Sequence, residues 1–345
     1  MQTLRTLEAL EREGLVAADP RLAEAAHSMA IAITPEMLGV IDRSDLNDPI
    51  ARQFVPSVAE TEIAPEELAD PIGDEARAAV KGIVHRYPDR VLLKPLHACP
   101  VYCRFCFRRE TVGPGKANLL SPTDLAEALA YIQSRPEIWE VILTGGDPFI
   151  LSPRRMGQIT EALAETGHVK VVRWHTRVPV VEPERVTDEL AASLIAPGIA
   201  SWVAIHANHP RELTAAARSA AARLAQAGVA LVSQTVLLKG VNDDSETLTA
   251  LMRGFVEAGI KPYYLHHPDL ARGTSHFRLG IEEGLALTRE LRARMSGLAQ
   301  PTYVLDLPGG FGKVVLDSAN VEKTDTGHRI RDFKGEWHAY PPTFA

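Results

Sequence analysis

The chain has 345 residues, 46% of them hydrophobic, enough for a sizeable core in one large domain or two smaller ones. Its formal charge of −7, from 37 basic and 44 acidic residues, argues against a surface that coats nucleic acid. No apolar run approaches the ~20 residues that span a bilayer, and the segment Met1 to Glu8 lacks a signal-peptide core, so a cytoplasmic location with no membrane and no nucleic-acid partner is expected.

From Met1 to about Ile83 the pattern is helical and broken by proline-containing linkers. Helices are expected at Thr3 to Glu13, Pro20 to Ile33 and Glu75 to Val84, which makes residues 1–84 a helical layer with no chemistry of its own. From Arg90 onward, short β-rich runs alternate with amphipathic segments. Strands are predicted at Val91 to Leu96, Glu140 to Thr144, Lys170 to Trp174, Ile199 to Ile205, Ala230 to Val236 and Lys261 to Leu265. Helices fall between them, near Leu125 to Gln133, Pro153 to Glu165, Pro183 to Ala196, Arg211 to Ala227 and Ser245 to Glu257; Ser121-Pro122-Thr123-Asp124 supplies a helix start. Six such units predict an α/β fold, an open partial (β/α)6 barrel over residues 85–319, with active residues at the strand carboxyl ends. Tyr303 to Leu307 leads into a glycine turn, and 320–345 reads as a polar, aromatic-dotted tail.

All three cysteines lie in one loop, Cys99-Pro100-Val101-Tyr102-Cys103-Arg104-Phe105-Cys106, directly after the first strand. Three thiolates at this C-x3-C-x2-C spacing can hold a [4Fe-4S] cube and leave one iron open to a ligand, whereas a structural zinc site would recruit His97 as fourth ligand. Clustered thiols without a disulfide framework, and an exposed cluster, both suit a reducing compartment. Three further segments carry chemistry. Thr144-Gly145-Gly146-Asp147-Pro148 ends the second strand, where two glycines let backbone approach a ligand and Asp147 can accept from an ammonium group. In Pro308-Gly309-Gly310-Phe311-Gly312-Lys313, Leu307 and Val314 defeat a phosphate-loop reading, while a glycine turn presenting one lysine suits a Schiff base. His85-Arg86-Tyr87-Pro88-Asp89-Arg90 offers two arginines, four apart, as forks for a phosphate.

Together these segments resemble the lysine 2,3-aminomutase family of the radical S-adenosylmethionine superfamily, over about His85 to Arg331. The resemblance implies a radical SAM partial barrel with an N-terminal helical region, a [4Fe-4S] cluster on Cys99, Cys103 and Cys106, and S-adenosyl-L-methionine as cosubstrate. It implies pyridoxal 5′-phosphate on Lys313, with Arg86, Tyr87, Arg90, Tyr263 and Tyr264 around the coenzyme. Gly145, Gly146 and Asp147 would hold the cosubstrate's methionine amine; His206, Gln234 and the stretch from Arg177 to Val181 would line its adenosine. Phe311 stands where the family pattern has a glycine.

For the substrate, the resemblance implies that Arg108 binds an amino acid's α-carboxylate, and that Asp269 and Asp306 clamp the ε-ammonium of lysine, since a buried cation needs paired anions. Pro268 departs from the family pattern beside Asp269. The implied reaction is 2,3-migration of the amino group of L-lysine to give β-lysine, driven by an electron donor such as flavodoxin or ferredoxin. This chain has no spare cysteines for the structural zinc of longer relatives, which leaves homo-oligomerisation open. Two rival readings stand beside this one. One is the same chemistry on a lysine destined for elongation factor P; the other, of a different class, is a zinc-stapled module without catalysis.

Overall fold

The computed structural model describes residues 2–113, 119–317, 319–332 and 334–342. The amino-terminal segment holds four short helices, α1 (Leu7–Arg12), α2 (Leu22–Ser28), α3 (Pro35–Val40) and α4 (Ala51–Phe54). The helix expected at Glu75 to Val84 does not form. A single 3-10 turn at Glu75–Arg77 is followed by strands β1 (Ala78–Val80) and β2 (Ile83–Tyr87), so the sheet starts before the boundary expected at residue 85. Ala and Glu favour a helix here, but pairing of Ile83 with Leu93 and Val84 with Leu92 overrides that local preference.

The barrel then follows the expected alternation: β3 (Arg90–Leu96), α5 (Pro122–Gln133), β4 (Glu140–Gly145), α6 (Pro153–Glu165), β5 (Val171–Thr176), α7 (Val178–Val181), α8 (Asp188–Ser193), β6 (Ala200–His206), α9 (Ala215–Gln226), β7 (Ala230–Val236), α10 (Ser245–Glu257), β8 (Lys261–His266), α11 (Ile281–Arg294) and β9 (Thr302–Leu307). The helix expected over Pro183 to Ala196 is split, a 3-10 turn at Pro183–Arg185 preceding α8. Helix starts are set by side-chain caps. Ser121 and Asp124 form a capping box on α5 with Pro122 in the first turn, and Ser152, Thr187, Thr214 and Asp244 cap α6, α8, α9 and α10.

Strands β3 to β9 pair in parallel in sequence order. Antiparallel β1 and β2 flank one edge, and β10 (Gly312–Val315) pairs antiparallel with β9 at the other, so the sheet stays open, and β9 adds a seventh parallel strand beside β8 to the six predicted. Every residue of β4 is buried, as a strand covered on both faces requires. The tail carries a separate three-stranded antiparallel sheet, β11 (Val321–Thr324), β12 (Gly327–Arg331) and β13 (Trp337–Tyr340), where the sequence suggested only a polar extension. Among the described residues no helix is long and apolar enough to cross a membrane.

Candidate active site

A cavity of about 860 Å³ opens inside the barrel at the carboxyl ends of its strands, toward the upper end of the about 300–1,000 Å³ usual for ligand pockets. The cysteines, Lys313 and the other single residues assigned to the cofactors and substrate line it, from Arg86 on the β2–β3 hairpin to Lys313 on β10, but of the stretch Arg177 to Val181 only Arg177 does, Val178–Val181 being buried as α7.

The cysteine loop is anchored from outside the barrel. Arg104, fully buried between Cys103 and Cys106, turns away from the cavity and donates to Glu60 (2.6–3.1 Å) and to the carbonyls of Ala25, Met29 and Ala30 (each 3.0 Å). Arg109 reaches the same Glu60 at 2.8 Å. The helical layer thus fixes the thiol-bearing loop, a role the sequence did not disclose. Burial pushes all three thiols up, Cys106 to about 11, so thiolates would form here only with compensating positive charge such as iron. Arg177 already donates to the Cys103 sulfur at 2.8 Å. Among the described residues no three His, Cys, Asp or Glu side chains converge as a single-ion site requires. All three thiols line the cavity, as a cluster open to a ligand requires.

Gly145, which ends β4, and Gly146 both line the cavity and also serve packing. A Cβ at Gly146 would lie 2.1 Å from the Ala98 carbonyl oxygen, so this glycine lets β4 pack against the cysteine loop. Asp147 is likewise engaged: it accepts from the Thr176 hydroxyl at 2.7 Å and from the backbone N–H groups of Arg177 (2.7 Å) and Phe149 (3.0 Å). The Val178 N–H also helps to hold its charge against burial, so most of the about four acceptor sites of this carboxylate are engaged within the protein. His206 and Gln234 sit side by side at the ends of β6 and β7, with His206 Nε2 3.2 Å from Asn208 Oδ1. Burial holds that imidazole well below its ordinary range and hence neutral.

On the opposite wall, Lys313 faces Asp306 across the β9–β10 pair, and its Nζ donates to both carboxylate oxygens at 2.6 and 2.8 Å. Tyr87 fixes the lysine's backbone, its hydroxyl accepting the Lys313 N–H at 2.6 Å. Gly312 has φ +96°, and a Cβ there would meet the same hydroxyl at 2.7 Å. The neighbouring Phe311 stacks on His338 of β13, ring centroids 3.9 Å apart, so the tail sheet carries the side chain that departs from the glycine pattern. Arg86 donates to the Ile72 carbonyl at 2.7 Å and lies 3.6 Å from Asp306; Arg90 lies over the Tyr87 ring at 3.8 Å. Tyr263 and Tyr264 stack at 3.8 Å.

Arg108 places Nη1 3.1 Å from the Thr144 hydroxyl, and Asp269 stands near Asp306. Burial and the Asp306 charge push Asp269 up to about 8. Burial also opposes ionisation of Asp306, yet Lys313 and His266 hold its carboxyl below the usual range. The wall contains residues that the sequence reading did not pick, Arg173, His175 and His266 on strands, and Asp74 stands behind Arg108 without lining the cavity. Arg173 and His175 alternate along the apolar β5, a period-2 signal that marks inward-facing polar groups. Arg86 Nε, His175 Nε2 and His266 Nε2 are buried without a hydrogen-bond partner, the state of a wall built for a polar ligand.

Residues 93–252 match the model of the Radical SAM superfamily. The chain is 37% identical over 316 residues to the L-lysine 2,3-aminomutase of Clostridium subterminale, covering 91% of this chain and 75% of that protein. It belongs to the lysine 2,3-aminomutase family of radical SAM proteins. A Fusobacterium nucleatum L-lysine 2,3-aminomutase is 37% identical over 311 residues, covering 89% of this chain and 72% of its own length. The glutamate 2,3-aminomutase of Clostridioides difficile is 36% identical over 285 residues, covering 83% and 67%. Overall identity to the family thus barely separates the two named substrates, and the cavity wall must discriminate between them.

Proposed function

We propose that the protein is a radical aminomutase that moves the α-amino group of L-lysine to C3, giving β-lysine. The observation that carries the substrate is the pair Asp269 and Asp306, close together in the cavity that Arg108 also lines: two carboxylates suit a side-chain ammonium and would repel the side-chain carboxylate of glutamate.

The residues fit the three groups that such chemistry needs. Bound here, a [4Fe-4S] cluster would supply the electron that splits S-adenosylmethionine to a carbon radical, and pyridoxal phosphate would carry the migrating nitrogen. Cys99, Cys103 and Cys106 would hold three irons; Gly145, Gly146, Asp147, His206 and Gln234 line the part of the cavity available to the cosubstrate. Lys313 would take the coenzyme through its amine, with Arg86 and Arg90 toward the phosphate and Tyr87, Tyr263 and Tyr264 around the ring. Once Lys313 is so engaged, Asp306 would lose its nearest partner, keeping Arg86 and His266 beside it, and could join Asp269 around the substrate's ammonium. Arg108 and the two aspartates then fix both ends of lysine, so that one C3 hydrogen faces the radical. A flavodoxin- or ferredoxin-type protein would deliver the electron, in a cytoplasmic setting.

Parallel anaerobic incubations with lysine and with glutamate test the reading. Conversion of lysine should dominate; faster conversion of glutamate would overturn it.

A further inference from the structure

A buried carboxylate from outside the barrel stands directly behind Arg108. Asp74 follows the last amino-terminal loop, held by Asp70, which accepts its N–H at 2.9 Å. Its Oδ2 lies 3.0 Å from both Nε and Nη2 of Arg108 and 3.4 Å from Lys94 Nζ, while Oδ1 lies 3.3 Å from Arg86 Nη2. Burial opposes its charge, but Arg108, Lys94 and Arg86 together hold its carboxyl below the usual range.

A guanidinium presents five N–H groups in one plane. Asp74 accepts from Nε–H and lies in ion-pair contact with Nη2, and Thr144 accepts from Nη1. Donor capacity on both terminal nitrogens remains. Arg108 and Thr144 line the cavity whereas Asp74 does not, so these remaining donors are what the cavity side has to offer.

We infer that Asp74 is a positioning residue for the substrate's α-carboxylate, holding the plane of Arg108 so that its free donors meet that carboxylate, and tying this anchor to Arg86 on the coenzyme side. The inference rests on Arg108 being the α-carboxylate anchor. It assigns the amino-terminal segment a part in substrate recognition.

The test is a titration of the coenzyme- and cluster-loaded protein, without S-adenosylmethionine, following the coenzyme's absorption band. The ligands are lysine and cadaverine, which is lysine without its carboxylate. Asp74→Asn should weaken lysine about tenfold and cadaverine less than about twofold, the loss expected of a misaligned charged hydrogen bond. Equal weakening of both ligands would make Asp74 a merely structural residue and overturn the inference. Arg108→Ala separates the two levels of the argument. If it abolishes the preference for lysine while Asp74→Asn does not, the inference on Asp74 fails alone; if it leaves the preference intact, the anchor reading fails first. Should Asp74→Asn not fold, Asp74→Glu, which keeps the charge and displaces the carboxylate by one methylene, carries the same comparison.

Discussion

Replacing Asp306 by asparagine probes the substrate clamp with almost no change in shape. The side chain is 5% exposed, pairs with Lys313 at 2.6 Å, and has Arg86 at 3.6 Å and His266 at 3.7 Å. Removing one partner of a buried pair costs about 3–5 kcal/mol. Asparagine keeps an acceptor and the cavity admits some water, so the lower end, about 3 kcal/mol, applies, which is about a hundredfold in kcat/KM for lysine. Steady-state β-lysine formation under anaerobic conditions measures it. Norleucine is the control, because its neutral side chain has no need of an anion; its binding, read on the coenzyme band, should change less than about threefold. A loss for lysine below about threefold, or equal losses for both ligands, would refute the assignment of Asp306 to the ammonium end.

Asp269 predicts a pH dependence. Its carboxyl, raised to about 8, is protonated below that pH and must ionise to hold an ammonium, so lysine affinity should fall by up to about tenfold per pH unit on acidification below about 8. Asp269→Asn should flatten that profile, and a flat profile in the unaltered protein would contradict the raised value. Lys313→Ala should abolish the borohydride-fixed adduct with pyridoxal phosphate seen by peptide mapping; an adduct formed on another lysine, with turnover preserved, would remove Lys313 from its role. Glu60→Gln leaves Arg104 and Arg109 without their shared carboxylate in a site where Glu60 and Arg104 are 0% exposed. It should lower stability by about 3 kcal/mol or more in thermal denaturation and reduce the iron retained per chain. Full iron content with an unchanged melting temperature would show that the helical layer does not hold the cysteine loop.

The parallel strands were legible because buried βα units leave a strong repeating pattern, and the strand ends then placed the cysteines, the Gly145 turn and His206 at one rim. Lys313 and Asp306 were found separately, but their pairing required the register of β10 on β9, which no motif encodes. Asp74 was invisible for a similar reason: a lone acid in a loop looks like any cap until the fold brings three cations around it. Gly146 illustrates a second limit. A glycine pair announces close approach, yet only the structure tells that the cysteine loop itself packs against Gly146. The strands β1 and β2 were hidden by helix-favouring alanines, and the short, half-exposed strands of the tail by the absence of a continuous apolar face.

The most direct measurement is an NMR experiment on lysine labelled at C2 and at the α-nitrogen, incubated anaerobically with reductant, S-adenosylmethionine and pyridoxal phosphate. The account predicts that the coupling between the two labels disappears as the nitrogen moves to C3 and β-lysine accumulates. Cleavage of S-adenosylmethionine with the labelled bond left intact would contradict it.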